Sequence, residues 1–366
     1  MQIQMSAEEL AKGLYRAQGI VDRKATMPIL ANVLLEASEG LLAISATDLE
    51  LGLKGEHPVE VGKPGKITVP ARSLLDIVRS LPEKTVTLTR KQNNWVEIVS
   101  GRYRSRLVGA DPADFPDLPG VEDVSFVNVE AEALSEMIEK THFAVSTDET
   151  RYNLNGVFIE AQGATARMVA TDGHRLSMVE RELGGKLFLS KGVIIPRKGL
   201  SEMRRLLGEK PGTVSLGFSG SNAVFRSEGL YLVMRLVDGQ FPDYQQVIPD
   251  SGKHPLTVDR EALLSTLKRV SLVSPDRAPS VKLELGKSTL TVISENPDLG
   301  EASEALEVGY DGPEVKVGFN AKYLIEVLGV LGSERVILEV ADELSPGLVK
   351  AEDDPGFTAV VMPMRI

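Results

Sequence analysis

The sequence predicts an α+β protein of three tandem, similar domains, each an antiparallel sheet carrying two helices. Three observations carry that prediction. One block of thirteen residues recurs three times at nearly constant spacing. The stretches between copies alternate apolar and polar residues in short runs. And 366 residues with 42% hydrophobic content exceed what one core organises, since single cores rarely grow beyond roughly 250 residues.

The block reads VPARSLLDIVRSL at 69–81, IPRKGLSEMRRLL at 195–207 and FNAKYLIEVLGVL at 319–331, offsets of 126 and 124 residues. Leu74, Leu200 and Leu324 correspond, as do Asp76, Glu202 and Glu326, and then Leu81, Leu207 and Leu331. Apolar residues recur three to four apart, the period of a helix with one buried face. Pro70 and Pro196 suit a helix start and Asn320 an N-cap. An earlier helix is expected in each unit, over 6–17, 130–141 and 259–270. Glu8 and Glu9, Glu130 and Glu132, and Asp259 and Glu261 fall in the first turns, where the helix dipole favours acids.

Shorter echoes keep the same order. AlaThrAspLeu at 46–49 returns as AlaThrAspGly at 170–173, and PheProAsp at 115–117 returns at 241–243. Several blocks sharing one offset indicate tandem duplication, with domains expected over 1–122, 123–252 and 253–366. The remaining runs, such as VLLEA, LLAISAT, KITV, TVTLTR and WVEIVS, read as strands bounded by Gly, Pro, Asn and Asp turns. Helices laid on antiparallel sheets bury one face and leave the other exposed.

The chain has no cysteine, which removes disulfides, thiolate metal sites and a cysteine nucleophile and suits a reducing cytoplasm. The start, MQIQMSAEEL, lacks a basic segment followed by an apolar run, and no apolar stretch approaches the roughly 18 residues of a membrane span. A cytoplasmic protein without membrane association is expected. No cofactor is implied.

With 41 Lys and Arg against 52 Asp and Glu, the net charge is −11, opposite to the basic footprint of a phosphate-binding protein. The charge is unevenly placed, however. The six helical segments hold 13 basic and 11 acidic residues, leaving 28 basic and 41 acidic elsewhere. Such a distribution permits sequence-independent phosphate contacts from helix surfaces. Solvated helix faces explain it as well, and the 130–141 segment, with four Glu and only Lys140, favours that plainer reading.

His174, between Asp172 and Arg175, is the most enzyme-like constellation, since an Asp-Gly-His turn could hold a general base. No nucleophile stands with it, and His57, His142 and His254 lack metal-ligand spacing. A structural or pocket-lining role is therefore expected, not catalysis.

MPILANVLL (27–35), ATDLE (46–50), VPAR (69–72), FPDL (115–118), ATDGHRL (170–176), IPRKG (195–199), LVDGQFPDY (236–244) and the terminal VVMPMRI (360–366) resemble the bacterial beta sliding clamps, the beta subunits of DNA polymerase III, over essentially the whole chain. The resemblance implies the DNA clamp fold. It also implies a head-to-tail homodimer whose six domains close as a ring, with helices lining the hole. The implied function is processivity: encircling double-stranded DNA without reading sequence, and docking the DNA polymerase III catalytic subunit, the clamp loader and other replication and repair polymerases. No Gly-Lys-Ser/Thr nucleotide loop occurs, so loading energy would come from another protein. A monomeric peptide-docking scaffold without ring closure, and a hydrolase using His174, remain as alternatives.

By the same resemblance, partners insert a peptide with Gln, Leu and Phe-like anchors between the second and third domains. The matching positions are Leu154, Thr171, Gly173, His174, Arg175 and Leu176, with Pro242 and Val247 from the linker. Asn320, Tyr323, Val360, Met362, Pro363, Met364 and Arg365 complete them. Flexible thioethers suit a groove that repacks for different ligands, although Val360 to Met364 alone would read as a final core strand. Gln246 stands where the family can carry a basic residue.

By the same resemblance the subunit contact falls on the edge strand Arg102 to Val108, with Leu107 as apolar contact, Arg102, Arg104 and Arg106 as charges, and Ser105 where a larger apolar residue can occur. The facing positions are Leu272 and Val273 with Asp298, Glu301 and Glu304. An alternating charged strand is also what a protected edge looks like. For DNA the expected residues are Arg23 and Lys24 in a loop, Arg72 and Arg79, Arg151 and Tyr152, and Arg197, Lys198, Arg204 and Arg205.

Overall fold

A computed structural model of the chain describes residues 1–21, 27–119, 121, 123–209, 211–249, 254–274 and 279–365. Arg23 and Lys24 lie outside the described residues. The helices start within a residue or so of the expected positions, but Glu130 is the last residue of strand Phe126–Glu130 and Asp259 caps its helix from outside, so neither lies in a first turn. Helix α1 (Ala7–Gln18) is capped by Ser6, whose Oγ accepts from the Glu9 amide. Helix α2 spans Ala71–Arg79, α3 Ala131–His142 and α4 Arg197–Leu207. Helix α5 (Arg260–Val270) is capped by Asp259 and α6 (Ala321–Gly329) by Asn320, each carboxylate or amide oxygen accepting a first-turn amide. The duplicated prolines sit one residue earlier than a helix-start role requires. Pro70 and Pro196 are the last residues of strands Gly65–Pro70 and Val193–Pro196, so they end strands at the turn into α2 and α4.

The described chain forms two compact units, Met1–Ala131 with Ser201–Leu236, and Glu132–Leu200 with Val237–Ile366. The second repeat is shared between them because its strands pair with both neighbours. In the first unit Leu230–Arg235 pairs antiparallel with Leu51–Pro58 of the first repeat. In the second, Arg175–Phe188 pairs with Asp354–Val361 of the third. Every ladder is antiparallel, so both junctions are closed by backbone hydrogen bonds rather than by side chains alone.

Among the described residues the first unit holds a five-stranded sheet, in spatial order Glu60–Lys63, Gln2–Ser6, Thr85–Arg90, Trp95–Ser100, Tyr103–Val108. Its other sheet runs Phe126–Glu130, Thr213–Ser219, Asn222–Ser227, Leu230–Arg235, Leu51–Pro58, Leu41–Thr47, Asn32–Ser38, Gly65–Pro70. Helices α1 and α2 pack together with Leu10, Leu14, Ala17, Leu74, Leu75 and Val78 buried. Full burial of each Leu or Val contributes about 1.5–3 kcal/mol. Gly13 sits inside α1, where glycine costs roughly 1 kcal/mol. The reason is close approach: a Cβ there would meet the buried His57 ring at 2.5 Å.

In the second unit, again among the described residues, one sheet runs Val193–Pro196, Gly156–Thr171, Arg175–Phe188, Asp354–Val361, Gly347–Ala351, Arg335–Glu339, Pro255–Asp259. The other runs Gly300–Glu307, Thr289–Asn296, Ser280–Gly286, Val315–Asn320. Leu263, Leu267 and Val270 of α5 and Leu324, Val327 and Leu328 of α6 face inward.

The seam between second and third repeats is reinforced by charge. Lys140 of α3 donates at 2.6 Å to both Glu136 and Asp354, and Arg181 reaches the same two carboxylates. The Arg181 hydrogen bond, with Lys140 beside it, holds Glu136 below the usual carboxylate range. Burial pushes Asp354 up, but its bonds to Arg181 and Lys140 outweigh that and hold it below its ordinary value. Folded-state pKa values below the unfolded ones give stability that is present above the ordinary carboxylate range and is lost as pH falls through it. Lys140→Met leaves the half-buried Asp354 one partner short and is expected to cost the second unit about 1–3 kcal/mol. In urea unfolding at neutral pH that deficit appears as a lower midpoint, and it shrinks on acidification to pH 3. A deficit independent of pH contradicts the account.

Candidate functional site

A small apolar cavity of about 130 Å³ opens in the second unit. Leu154, Thr171, Gly173, Arg175, Leu176, Pro242, Val247, Val360 and Met362 line it, all expected from the sequence, together with Tyr244, which was not. Four chain segments build it, at 154, 171–176, 242–247 and 360–362. The floor is sheet, with Leu176 directly opposite Val360 in the ladder. Strand Asp354–Val361 ends at Val361, so the expected core strand stops short. Met362 leaves the sheet with its amide bonded to the His174 carbonyl at 2.9 Å, and its side chain is exposed.

The wall is a tight turn over 171–175. Thr171 Oγ1 donates to the Arg175 carbonyl at 2.6 Å and accepts from the Gly173 amide at 3.1 Å. Asp172 Oδ1 accepts from the amides of His174 and Arg175 at 2.9 and 3.0 Å. Gly173 has φ +88°, a left-handed conformation that glycine adopts without strain. Asp172 is therefore spent on backbone amides and on Arg175. It bonds the His174 main chain, and its second oxygen goes to Arg175 Nε rather than to the imidazole.

Arg175, only 8% exposed, braces the turn. Its Nε donates to Asp172 at 3.1 Å, one Nη to the Phe143 carbonyl at 2.6 Å and the other to Glu326 of α6. The guanidinium also lies 4.5 Å from the ring centre of Tyr323. Burial raises the Tyr323 hydroxyl above its ordinary value, and Asp172 adds to that. Tyr323 thus touches the cavity through Arg175. Asn320 is spent on capping α6 through the Lys322 amide. Met364 bonds Gly318 through its amide, and with Arg365 it lines a separate, open cleft beside Lys316 and Leu344. Pro363 lies between the two, half-buried. Gln246 turns back to Asp243 at 2.8 Å.

The expected DNA-facing residues divide by unit. In the first, Arg72, Arg79 and Arg204 are exposed, Arg72 standing 3.6 Å from Asp76. Arg205 differs. It donates to Glu202 and to the Arg16 carbonyl, and together with Arg79 it brackets the Tyr15 ring at 5.2 and 5.3 Å. In the second unit Arg151, Tyr152, Arg197 and Lys198 are exposed, and Arg151 also donates to the Asp172 carbonyl.

Strand Tyr103–Val108 ends its sheet, with Arg104 and Arg106 outward and Leu107 opposite the buried Val96. Arg102, just before it, is exposed, and Ser105 Oγ is buried without a hydrogen-bond partner. Strand Gly300–Glu307 ends another sheet. Asp298 and Glu301 are exposed near it, Leu272 is 79% exposed and Val273 half-buried. Glu304, expected to complement another subunit, is already held by Arg269 and Thr266 of its own chain, at 2.9 Å each from Nε and Oγ1.

The chain matches the DNA polymerase III beta subunit in three segments: the N-terminal domain over residues 1–119, the central domain over 128–243 and the C-terminal domain over 245–365. It is 37% identical to the beta sliding clamp of Pseudomonas aeruginosa and 35% identical to that of Escherichia coli, each alignment covering both chains fully. Similar solved structures, also fully covered on both sides, include the Bartonella birtlesii sliding clamp bound to griselimycin, at 36% identity and TM-score 0.95. The Caulobacter crescentus clamp follows at 37% and 0.94.

Removing the Arg175 guanidinium takes a partner from Asp172, from Glu326 and from the Phe143 carbonyl. Arg175→Met is expected to destabilise the second unit by about 3–5 kcal/mol, and Arg175→Lys to recover little because one ammonium cannot span three acceptors. Thermal unfolding checks this, and a wild-type transition for Arg175→Met contradicts the bracing role.

Proposed function

The chain belongs to the DNA polymerase III beta subunit family, the beta sliding clamps, and acts as a processivity clamp rather than a catalyst; from that premise we propose how its parts divide the work. Three domains, 1–122, 123–252 and 253–366, repeat one design so that a ring presents similar helix faces to a duplex all round. Two subunits close head to tail, strand Tyr103–Val108 of one against strand Gly300–Glu307 of the other. The arginines at 102, 104 and 106 then face Glu301 and Asp298, while Leu272 and Val273 supply apolar contact. Exposed charged edges that end two different sheets support this closure.

Sliding requires that DNA be held without base contacts, since base readout would pin the ring. Arg72, Arg79, Arg151, Tyr152, Arg197, Lys198 and Arg204 suit loose phosphate contacts, and Arg23 and Lys24 are proposed with them. Arg205 is proposed to act mainly by bracing, through Glu202 and Tyr15. Attachment is topological, and tethering a polymerase to the ring raises its effective concentration at the primer end.

The observation that carries the docking role is the apolar cavity whose lining unites nine of the expected positions. It suits one aliphatic or aromatic anchor of a short peptide, the second cleft beside Met364 and Arg365 taking the next. The DNA polymerase III catalytic subunit, the clamp loader and other replication and repair polymerases are the proposed bearers of such peptides, in the bacterial cytoplasm.

Loaded on a nicked circle by a clamp loader and ATP, the protein is expected to remain bound through gel filtration at high salt and to leave once the circle is cut. Retention on the linear product with free ends overturns the ring. Sedimentation at micromolar concentration is expected to give a dimer, which Arg104→Glu with Arg106→Glu shifts towards monomer by like-charge repulsion across the strand edge. A persistent monomer of the unaltered protein removes ring closure.

A further inference from the structure

Tyr244 is 5% exposed, yet its hydroxyl lies among charges. It donates to Glu160 Oε2 at 2.6 Å and accepts from Arg167 Nη1 at 3.0 Å. Arg167 is fixed in turn by Glu180, through Nε and Nη2 at 3.1 and 2.7 Å. Arg167 and Glu180 sit on the same sheet face as the cavity-lining Thr171 and Leu176, two rows along: Thr171, Val169 and Arg167 alternate on one strand, opposite Leu176, Met178 and Glu180 on its neighbour. The apolar row is held by Phe158 stacked on Phe241 at 4.9 Å. Tyr244 therefore spans the two rows, its ring facing the cavity and its hydroxyl anchored outside it.

The first repeat supplies an internal comparison. Its turn over 47–51 has the hydrogen bonds of the 171–175 turn: Thr47 Oγ1 to the Leu51 carbonyl, the Leu49 amide to Thr47, and the Glu50 and Leu51 amides to Asp48. The Arg235 amide meets the Glu50 carbonyl at 2.8 Å, as Met362 meets His174. At the duplicate offset, Glu36, Ala43 and Glu56 stand for Glu160, Arg167 and Glu180, with Ala43 opposite both glutamates in the ladders. Leu118 follows the first PheProAsp as Tyr244 follows the second. The arginine and the tyrosine are thus replaced together, while both glutamates are kept. There Leu118 has closed onto the sheet: a Cβ on Gly52, the counterpart of Leu176, would fall 2.9 Å from Leu118 Cδ2.

We infer that Arg167 and Glu160 are positioning residues for peptide docking, holding Tyr244 by its hydroxyl so that its ring forms a wall of the cavity instead of filling it. This rests on the cavity being the peptide-docking site. A hydrogen bond to a charged group resists the inward swing of the ring, and a cavity that must be reopened loses affinity in proportion to the open fraction.

The test uses the full-length protein and a fluorescent synthetic peptide bearing Gln, Leu and Phe anchors, with Tyr244→Phe, Arg167→Ala, Arg167→Lys and the Tyr244→Phe/Arg167→Ala double variant. Each of the first two is expected to weaken binding about tenfold, with Arg167→Lys regaining part of the loss. The double variant binds no more weakly than the worse single one, because both remove one anchor. Thermal midpoints, which a merely structural role would lower in step with affinity, stay near that of the unaltered protein. Single variants binding within about twofold of the unaltered protein, or losses that multiply in the double variant, overturn the inference while leaving the docking site standing. Failure of the unaltered protein to bind the peptide overturns the docking reading, and the inference with it.

Discussion

Pairing of strand edges across the repeat junctions is the constraint on which the rest of the structure depends. A repeat of helices on antiparallel strands leaves unpaired amides and carbonyls at its margins, and a buried unpaired backbone group costs about as much as a lost hydrogen bond. Here the margins are consumed by the next copy. Leu51–Pro58 of the first repeat takes Leu230–Arg235 of the second, and Arg175–Phe188 of the second takes Asp354–Val361 of the third. Two compact units that divide the middle repeat are the direct outcome. Tandem duplication thus yields sheets that run across the repeat junctions, and the charged strands Tyr103–Val108 and Gly300–Glu307 each stand at the end of a sheet.

The second junction adds costly side chains to the backbone seam. Lys140, Arg175 and Arg181 are each less than one-fifth exposed, and removing such cations from water is tolerable only when acceptors surround them. Their partners come from different repeats: Glu136 and Asp172 from the second, Asp354 and Glu326 from the third. Such pairs fix register better than apolar packing, because a slipped seam would leave charges buried alone. They also hold the 171–175 turn rigid, which a small apolar cavity at a junction requires.

Much of this was legible in the sequence, and what was not has definable causes. Strands Leu41–Thr47, Thr85–Arg90 and Trp95–Ser100 were visible from alternation alone, and the Asn320 cap from capping chemistry, whereas Asp259 caps its helix where a first-turn acid was expected. Pro70 and Pro196 misled by one position, since proline is tolerated equally at a strand's end, where its missing amide is not needed. Arg205 and Glu304 were read as outward charges because charge alone does not reveal a partner nearly 190 residues away, such as the Arg16 carbonyl, or one across a strand, such as Arg269. Tyr244 was passed over although it ends the repeated PheProAsp motif. Where its hydroxyl goes depends on Glu160 and Arg167, strand residues 84 and 77 positions away in the chain.

The duplicated turn shows why resemblance among repeats does not make their sites equivalent. ThrAspLeuGluLeu and ThrAspGlyHisArg fold into the same bonded turn because Thr and Asp side chains, not the variable residues, satisfy its amides. The backbone conformation is shared even where it is unfavourable, for Leu49 adopts φ +78° without the freedom of glycine. Conformation is therefore set by the invariant pair and function by what the other positions carry. Gly173 adds no bulk at the rim, Leu176 gives the cavity an apolar floor, and Arg175 locks the turn to α6 through Glu326. Leu49, Gly52 and Leu51 in the same places give an exposed side chain, a gap filled by Leu118 and no lock. Duplication supplied the scaffold of the turn twice, and a handful of side chains decided which copy keeps an open apolar cavity.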